Sequence, residues 1–131
     1  MQSFDSRVVN ILLVEDHKDS REVLSGLLTH CGHEVSTAAN MQDALVLLGH
    51  FRFEVLVCDI GLPDGSGLEL VVEAQKRQPW KKTIALTAYE QNGERELGLR
   101  AGFDEYLTKP FDFHRLRSLL AEAPPALSPA P

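Results

Sequence analysis

Eleven of the nineteen acidic residues fall in the first 70 positions against only four lysines and arginines, and three of those acids end or follow apolar runs. Glu15 and Asp16 come directly after Val8-Val9-Asn10-Ile11-Leu12-Leu13-Val14, and Asp59 closes Glu54-Val55-Leu56-Val57-Cys58. Two later runs deliver complementary groups. Thr87 stands near the end of Thr83-Ile84-Ala85-Leu86-Thr87-Ala88, and Lys109 follows Glu105-Tyr106-Leu107-Thr108 and precedes Pro110. Carboxylates packed together repel unless some protonate or a cation joins them. An all-oxygen acidic site with room for water and phosphate oxygens suits Mg²⁺. A carboxylate can also attack phosphorus to give an aspartyl phosphate, and the moving phosphoryl charge then needs a metal, a lysine and a hydroxyl as clamps. These five side chains hold one candidate for each task.

A fold must gather them, because they are far apart in the chain. Five short apolar runs alternate with five helix-like segments. The first run is nearly unbroken and rich in β-branched residues, as expected of a strand buried on both faces. Asp19 is the expected N-cap of the first helix, with Val23, Leu24, Leu27, Leu28 and Cys31 at helical spacing and Gly32 as its stop. The second strand is expected over about His33 to Ala38, and Asn40 to cap the helix after it. The segment from Ile60 to Gly65 reads as a turn-rich loop, and Ser66 with Glu69 as the opening of the third helix. The fourth helix is expected from about Gln91 to Ala101, ending at Gly102. Asp112 is expected to cap a last helix with an apolar face of Phe113, Leu116, Leu119 and Leu120. The β-α alternation with short connections implies an α/β fold: a doubly wound, flavodoxin-like (βα)₅ sandwich around a parallel five-stranded sheet of order 2-1-3-4-5. Ligands of such sheets bind beyond the carboxyl ends of the strands, where all five residues would meet.

Val14-Glu15-Asp16, the run from Val57 to Gly65, Ala85-Leu86-Thr87-Ala88 and Tyr106-Leu107-Thr108-Lys109-Pro110-Phe111 together resemble the receiver domains of two-component response regulators, the chemotaxis-receiver type included. The match covers about Val8 to Glu122. Stretches such as Cys58 to Leu70 and Ala101 to Tyr106 look most like receivers attached to hybrid sensor histidine kinases. The resemblance implies that Asp59 is the phosphoacceptor, with Mg²⁺ held by Asp16, by Asp59, by the Gly61 backbone carbonyl, and by Glu15 mainly through water. It implies that Thr87, Ala88 and Lys109 hold phosphoryl oxygens, and that the Lys109–Pro110 peptide is cis. Thr87 and Tyr106 would form a switch pair, Tyr106 turning inward from a more exposed rotamer on phosphorylation. The phosphodonor would be a histidine kinase or a histidine phosphotransfer protein. A downstream partner or a second copy would bind the face of helix four, strand five and helix five, which carries Arg95, Arg100, Phe103, Tyr106, Phe111 and His114.

A dinucleotide site would need a glycine-rich turn where Glu15-Asp16-His17-Lys18-Asp19-Ser20 stands, and that turn repels anions. An aspartyl-phosphate phosphatase would carry a second Asp two residues past the nucleophile, where this chain has Gly61. A phosphorylation-independent, receiver-like adaptor is the remaining alternative, although such proteins typically lose the acceptor, the lysine or the acids. His17, beside the acidic pair, could touch the site but reads more simply as an exposed loop residue, His30-Cys31-Gly32-His33 as a helix-end stop, and Tyr106 alone as a half-buried strand aromatic. Cys31 and Cys58 are expected to be core thiols, Cys58 inert.

The 131 residues fit one domain, expected over 8–122 with an N-terminal extension at 1–7 and a disordered Ala/Pro-rich tail at 123–131. The net charge of −6 argues against direct nucleic-acid binding. No apolar run approaches the ~20 residues of a membrane span, and no signal-peptide pattern opens the chain, so a cytoplasmic location away from the membrane is expected.

Overall fold

The computed structural model describes residues 8–88 and 94–121. The expected N-terminal extension, Glu122, the 123–131 tail, residues 91–93 of the expected fourth helix and the side chain of Arg95 lie outside the described residues.

Five strands form one parallel sheet: β1 (Asn10–Val14), β2 (Glu34–Ala38), β3 (Val55–Asp59), β4 (Lys82–Thr87) and β5 (Glu105–Thr108). Their order is β2-β1-β3-β4-β5, the doubly wound arrangement expected. The crossovers carry α1 (Lys18–His30), α2 (Met41–Leu48), α3 (Gly67–Arg77), α4 (Glu94–Ala101) and α5 (Phe113–Ala121). Every residue of β3 and β4 is buried, which is why these strands read as continuous apolar runs and not as alternating ones.

The two-residue period of the strands sorts the core into two layers. Leu12, Val14, Leu56, Cys58, Ala85 and Tyr106 lie on the face covered by α2, α3 and α4. Ile11, Leu13, Val55, Val57, Leu86 and Leu107 lie on the other face, with Leu24 and Leu28 of α1 and Leu116, Leu119 and Leu120 of α5. Each such aliphatic side chain contributes ~1.5–3 kcal/mol by leaving water. Together they hold the strand ends in register.

Helix termini follow local chemistry in most places. The Asn40 side chain accepts from the Asp43 amide at 2.7 Å, Ser66 and Glu69 form a reciprocal capping box, and Asp112 Oδ1 accepts from the His114 amide at 2.9 Å. Gly32 and Gly102 take φ values of 98° and 131°, a region that favours glycine. Two expectations are corrected. Asp19 is not the cap of α1: the helix begins at Lys18 with His17 as N-cap, and the Glu15 carboxylate accepts the His17 amide at 3.1 Å. Cys31 is exposed, because α1 ends one residue earlier and Cys31 becomes its C-cap.

The segment after β3 is more ordered than a plain loop. Gly61–Leu62 pairs antiparallel with Gly65–Ser66, and Asp64 at the tip accepts from the Met41 and Gln42 amides at 2.8 and 2.9 Å. These bonds hold the Asp64 carboxyl below the usual carboxylate range. α3 then starts so close under β3 that a Cβ on Gly67 would lie 2.5 Å from the Asp59 carbonyl oxygen. Gly67→Ala should therefore lower stability by about 1–3 kcal/mol in urea denaturation, since backbone cannot swing aside. Gly26→Ala, in the middle of α1 with nothing within 4 Å of the added carbon, should instead stabilise by ~0.4–1 kcal/mol. Equal effects at the two glycines would disprove the close approach at Gly67.

Candidate functional site

Strand register brings the chemistry together. Val14 stands opposite Cys58, Asp59 opposite Leu86, and Thr87 opposite Thr108, so Glu15, Asp59, Thr87 and Lys109 leave the sheet at one rim. The Glu15 amide donates to the Ala38 carbonyl at 3.0 Å, which holds Glu15 against the sheet one residue past β1. Its carboxylate is fully buried. Lys109 Nζ donates to Glu15 Oε1 at 2.7 Å and to Asp59 Oδ2 at 3.2 Å, and the Gly61 amide donates to Asp59 Oδ1 at 3.3 Å. Lys109 is anchored by its own amide, which donates to the Thr87 carbonyl at 2.6 Å, and the Lys109–Pro110 peptide is cis. Thr87 is buried and Ala88, next to it, is exposed.

One ammonium serves two carboxylates unequally. Burial lifts the Asp59 carboxyl above its usual range, and Glu15 lifts it further against the opposing pull of Lys109. Burial works on Glu15 as well, but its shorter bond to Lys109 and the His17 amide outweigh it and leave that carboxyl below its usual value. Lys109 itself is pushed down by burial and more than restored by the two acids, ending above the normal lysine range. Cys58 is fully buried and its thiol is raised well above normal by burial first and by the neighbouring acids second. It is chemically quiet.

Counting Asp16, three carboxylates face one lysine, which leaves the rim short of positive charge. Ligand atoms of Glu15, Asp16, His17 and Asp59 all lie within 4.8 Å of one another. Asp16 Oδ1 is buried and has no hydrogen-bond partner among the described residues. An orphaned carboxylate oxygen beside two further carboxylates fits a hard divalent cation such as Mg²⁺.

Three features go beyond the simplest reading of the sequence. His17 is 74% exposed, as a loop histidine should be, yet its Nδ1 stands 3.3 Å from Glu15 Oε2 and 3.4 Å from Asp16 Oδ1. Arg21, one turn into α1, donates to the Glu15 carbonyl at 3.0 Å and to the Asp16 carbonyl at 3.4 Å, bracing the acidic turn. Its five- and six-residue spacing from the acids was the available signal. Tyr106 is already inward: its ring is buried, and a Cβ on Gly98 of α4 would lie 2.7 Å from its Cε1. The more exposed rotamer expected as its starting point is not the one in this structure.

A parallel sheet of this order, with acids and a lysine on its carboxyl rim, defines the receiver class of signalling domains. The chain belongs to that family: residues 11–121 match the response regulator receiver domain. Over 112 residues it is 39% identical to the response regulator protein PilR of Pseudomonas aeruginosa, a match covering 86% of this chain and 25% of PilR. The chain thus spans about a quarter of that relative's length. Response regulator TrrA of Thermotoga maritima, solved in complex with Mg²⁺-BeF, is 34% identical and superposes with a TM-score of 0.77 over 88% of this chain and 98% of that one. A response regulator of Burkholderia pseudomallei, solved with a phosphorylated aspartic acid and a calcium ion, is 30% identical with a TM-score of 0.79, covering 85% and 65%.

The Lys109 bridge has a measurable signature. In the intact protein Glu15 contributes stability above its unfolded value of 4.5 and loses it as pH falls through its lowered folded value. Asp59, raised, does the reverse, gaining stability as pH falls through its folded value. In Lys109→Met, Glu15 is buried without its cation, so its folded value rises and it becomes destabilising at neutral pH. The variant should be ~2–3 kcal/mol less stable at pH 7, below the range for wholly buried pairs because Lys109 keeps 24% exposure. That deficit should shrink as pH falls from 7 to 4 in denaturation curves. A pH-independent deficit would show that Lys109 acts through packing alone.

Proposed function

We propose that this domain accepts a phosphoryl group on Asp59 from a phosphohistidine, with Mg²⁺ help, and changes its protein contacts as a result. The observation that carries the reading is the Asp59 carboxylate, buried at the end of a central strand, raised in pKa and facing a lysine anchored on the neighbouring strand. An Asp59 oxygen attacks phosphorus, the P–O bond forms as the P–N bond to the donor imidazole breaks, and the imidazole leaves with the electron pair. Asp16, Asp59, the Gly61 carbonyl and, through water, Glu15 would hold the Mg²⁺, which supplies charge neutralisation for the phosphoryl group. Lys109 gives up part of its bond to Asp59 and turns to a phosphoryl oxygen. The Thr87 hydroxyl and the Ala88 amide, at the end of β4, would take the other oxygens. Phosphate release by the domain itself is slow in this reading, and turnover of outside substrates is not part of it.

The donor is a histidine kinase or a histidine phosphotransfer protein. A groove of about 530 Å³ between α1 and the start of the β5–α5 connection, lined by Val23, Leu24, Pro110 and Phe111, reaches Lys109 and Ala88 and gives such a partner a place beside the acceptor. Output passes through Thr87 and Tyr106. They lie on adjacent strands on the same face of the sheet, Ala85 being opposite Tyr106 and Thr87 opposite Thr108. A hydroxyl drawn toward the phosphoryl group alters the space beside the Tyr106 ring, and through it the face of α4, β5 and α5, where a downstream protein or a second copy binds. A cytoplasmic setting, the boundaries 8–122 and a likeness to the receivers of hybrid sensor histidine kinases, whether the domain stands alone or in a larger chain, belong to the same proposal. Among the described residues no helix is long and apolar enough to cross a membrane.

Incubation with acetyl phosphate and Mg²⁺ should add one phosphoryl mass, which Asp59→Asn and EDTA should each abolish. Labelling that survives in Asp59→Asn would remove Asp59 from its role, and an intact protein that takes no label at all would favour the adaptor reading. The switch has its own test. Gly98→Ala places a methyl against the Tyr106 ring and should drive it outward, seen as lost NMR contacts between Tyr106 and α4, while phosphorylation of Asp59 continues. A ring that stays buried in that variant would show that α4 itself yields instead.

A further inference from the structure

The acidic rim contains a nitrogen donor that an Mg²⁺ site does not require. His17 Nδ1 lies 3.3 Å from Glu15 Oε2 and 3.4 Å from Asp16 Oδ1, although it makes no hydrogen bond to the latter. Two donors bound to one metal at about 2.1 Å stand roughly 3.0 Å apart along an octahedral edge and roughly 3.4 Å along a tetrahedral one. His17 Nδ1 therefore already stands from each of the two carboxylate oxygens at the spacing of neighbours in a coordination shell, and ligand atoms of both acids, of His17 and of Asp59 lie within 4.8 Å of one another. Arg21 holds the backbone of both acids from the helix side, and α1 starts directly at His17, so the imidazole leaves the chain at a fixed point. Its exposure leaves χ rotations free to close the last few tenths of an ångström without disturbing the core.

Donor chemistry decides which ion gains. Mg²⁺ is hard and prefers oxygen, whereas imidazole favours Zn²⁺, Co²⁺, Ni²⁺ and Cu²⁺, and the affinity of a mixed N/O site rises toward copper. We propose that His17 is a direct ligand in the Asp59 site, making it a mixed nitrogen–oxygen centre that binds Zn²⁺-class divalent ions in preference to Mg²⁺. This rests on the reading of the rim as a divalent-cation site. A transition ion held there competes with Mg²⁺ for Asp16 and Asp59, so the balance of available metals governs how readily Asp59 is phosphorylated.

The test uses the whole chain, titrated separately with Zn²⁺ and Mg²⁺ by calorimetry, with the imidazole nitrogens followed by NMR. The chain has five histidines, so the site-resolved signal is needed alongside the heat. The first equivalent of Zn²⁺ should shift His17 Nδ1 ahead of the other histidines. His17→Ala should weaken Zn²⁺ at least about tenfold and leave Mg²⁺ nearly unchanged, while Asp16→Ala weakens both. His17 has no side-chain capping bond on α1, so the alanine variant keeps its fold. If Zn²⁺ affinity is the same in His17→Ala while Mg²⁺ still binds at the rim, His17 is no ligand and the cation site stands without it. If neither ion perturbs the rim in the intact protein, the proposal and the cation-site reading fall together.

Discussion

Burying two carboxylates against one ammonium is the constraint around which this molecule is arranged. An isolated charge taken from water costs several kcal/mol even after relaxation, and it is offset only by close, well-aligned partners. Glu15 has such a partner in Lys109 at 2.7 Å, while Asp59 shares the same lysine at 3.2 Å and is left with a raised pKa. The two apolar layers on either side of the sheet supply the stability that makes this tolerable. They also keep the strand ends from drifting apart, which is the one motion that would relieve the repulsion. The site is thus short of positive charge, which in the proposed function a cation would supply.

The two-residue period of the strands separates chemistry from signalling. Glu15 and Asp59 continue the alternation of Leu13 and Val57, and Lys109 that of Leu107, toward the layer under α1 and α5. Thr87 and Tyr106 continue the alternation of Ala85, toward the layer under α2, α3 and α4. In the proposed function a phosphoryl group on Asp59 would stand at the rim where the two layers meet, and Thr87 is the rim residue of the second layer. A backbone running in register would then be enough to couple them. No long chain of intermediaries is needed, because the threonine and the tyrosine are diagonal neighbours on paired strands.

Most of the sheet was legible because buried parallel strands carry an unusually plain apolar signature, and three of the five strands here end in a polar residue, Asp59, Thr87 and Thr108. β5 reads from Glu105 to Thr108 and forms over those residues. The site followed from the same logic, since fold order alone brings residues 15, 59, 87 and 109 to one rim. The sequence was less informative where a side chain, and not a pattern, decides the outcome. Asp19 has the chemistry of a helix cap, but the buried Glu15 carboxylate claimed the His17 amide first and moved the start of α1. Cys31 matched the helical spacing of the apolar stripe, but Gly32 with its positive φ ended the helix before the stripe did. The resting rotamer of Tyr106 depends on the absence of a side chain at Gly98, a contact between elements that no local pattern encodes.

The Asp64 carboxylate spans two amides at the head of α2, while the strand pair behind it begins two residues after Asp59. The Gly61–Ser66 turn is therefore held at its base by β3 and at its tip by α2, and Gly65 is pressed close to the Met41 side chain. Surface turns usually accept insertions and transplants from relatives with little penalty. This one is an exception. A turn one residue longer would carry the carboxylate off its helix or shift the backbone beside Asp59, so chimeras of this domain should exchange the turn and the opening of α2 as one unit.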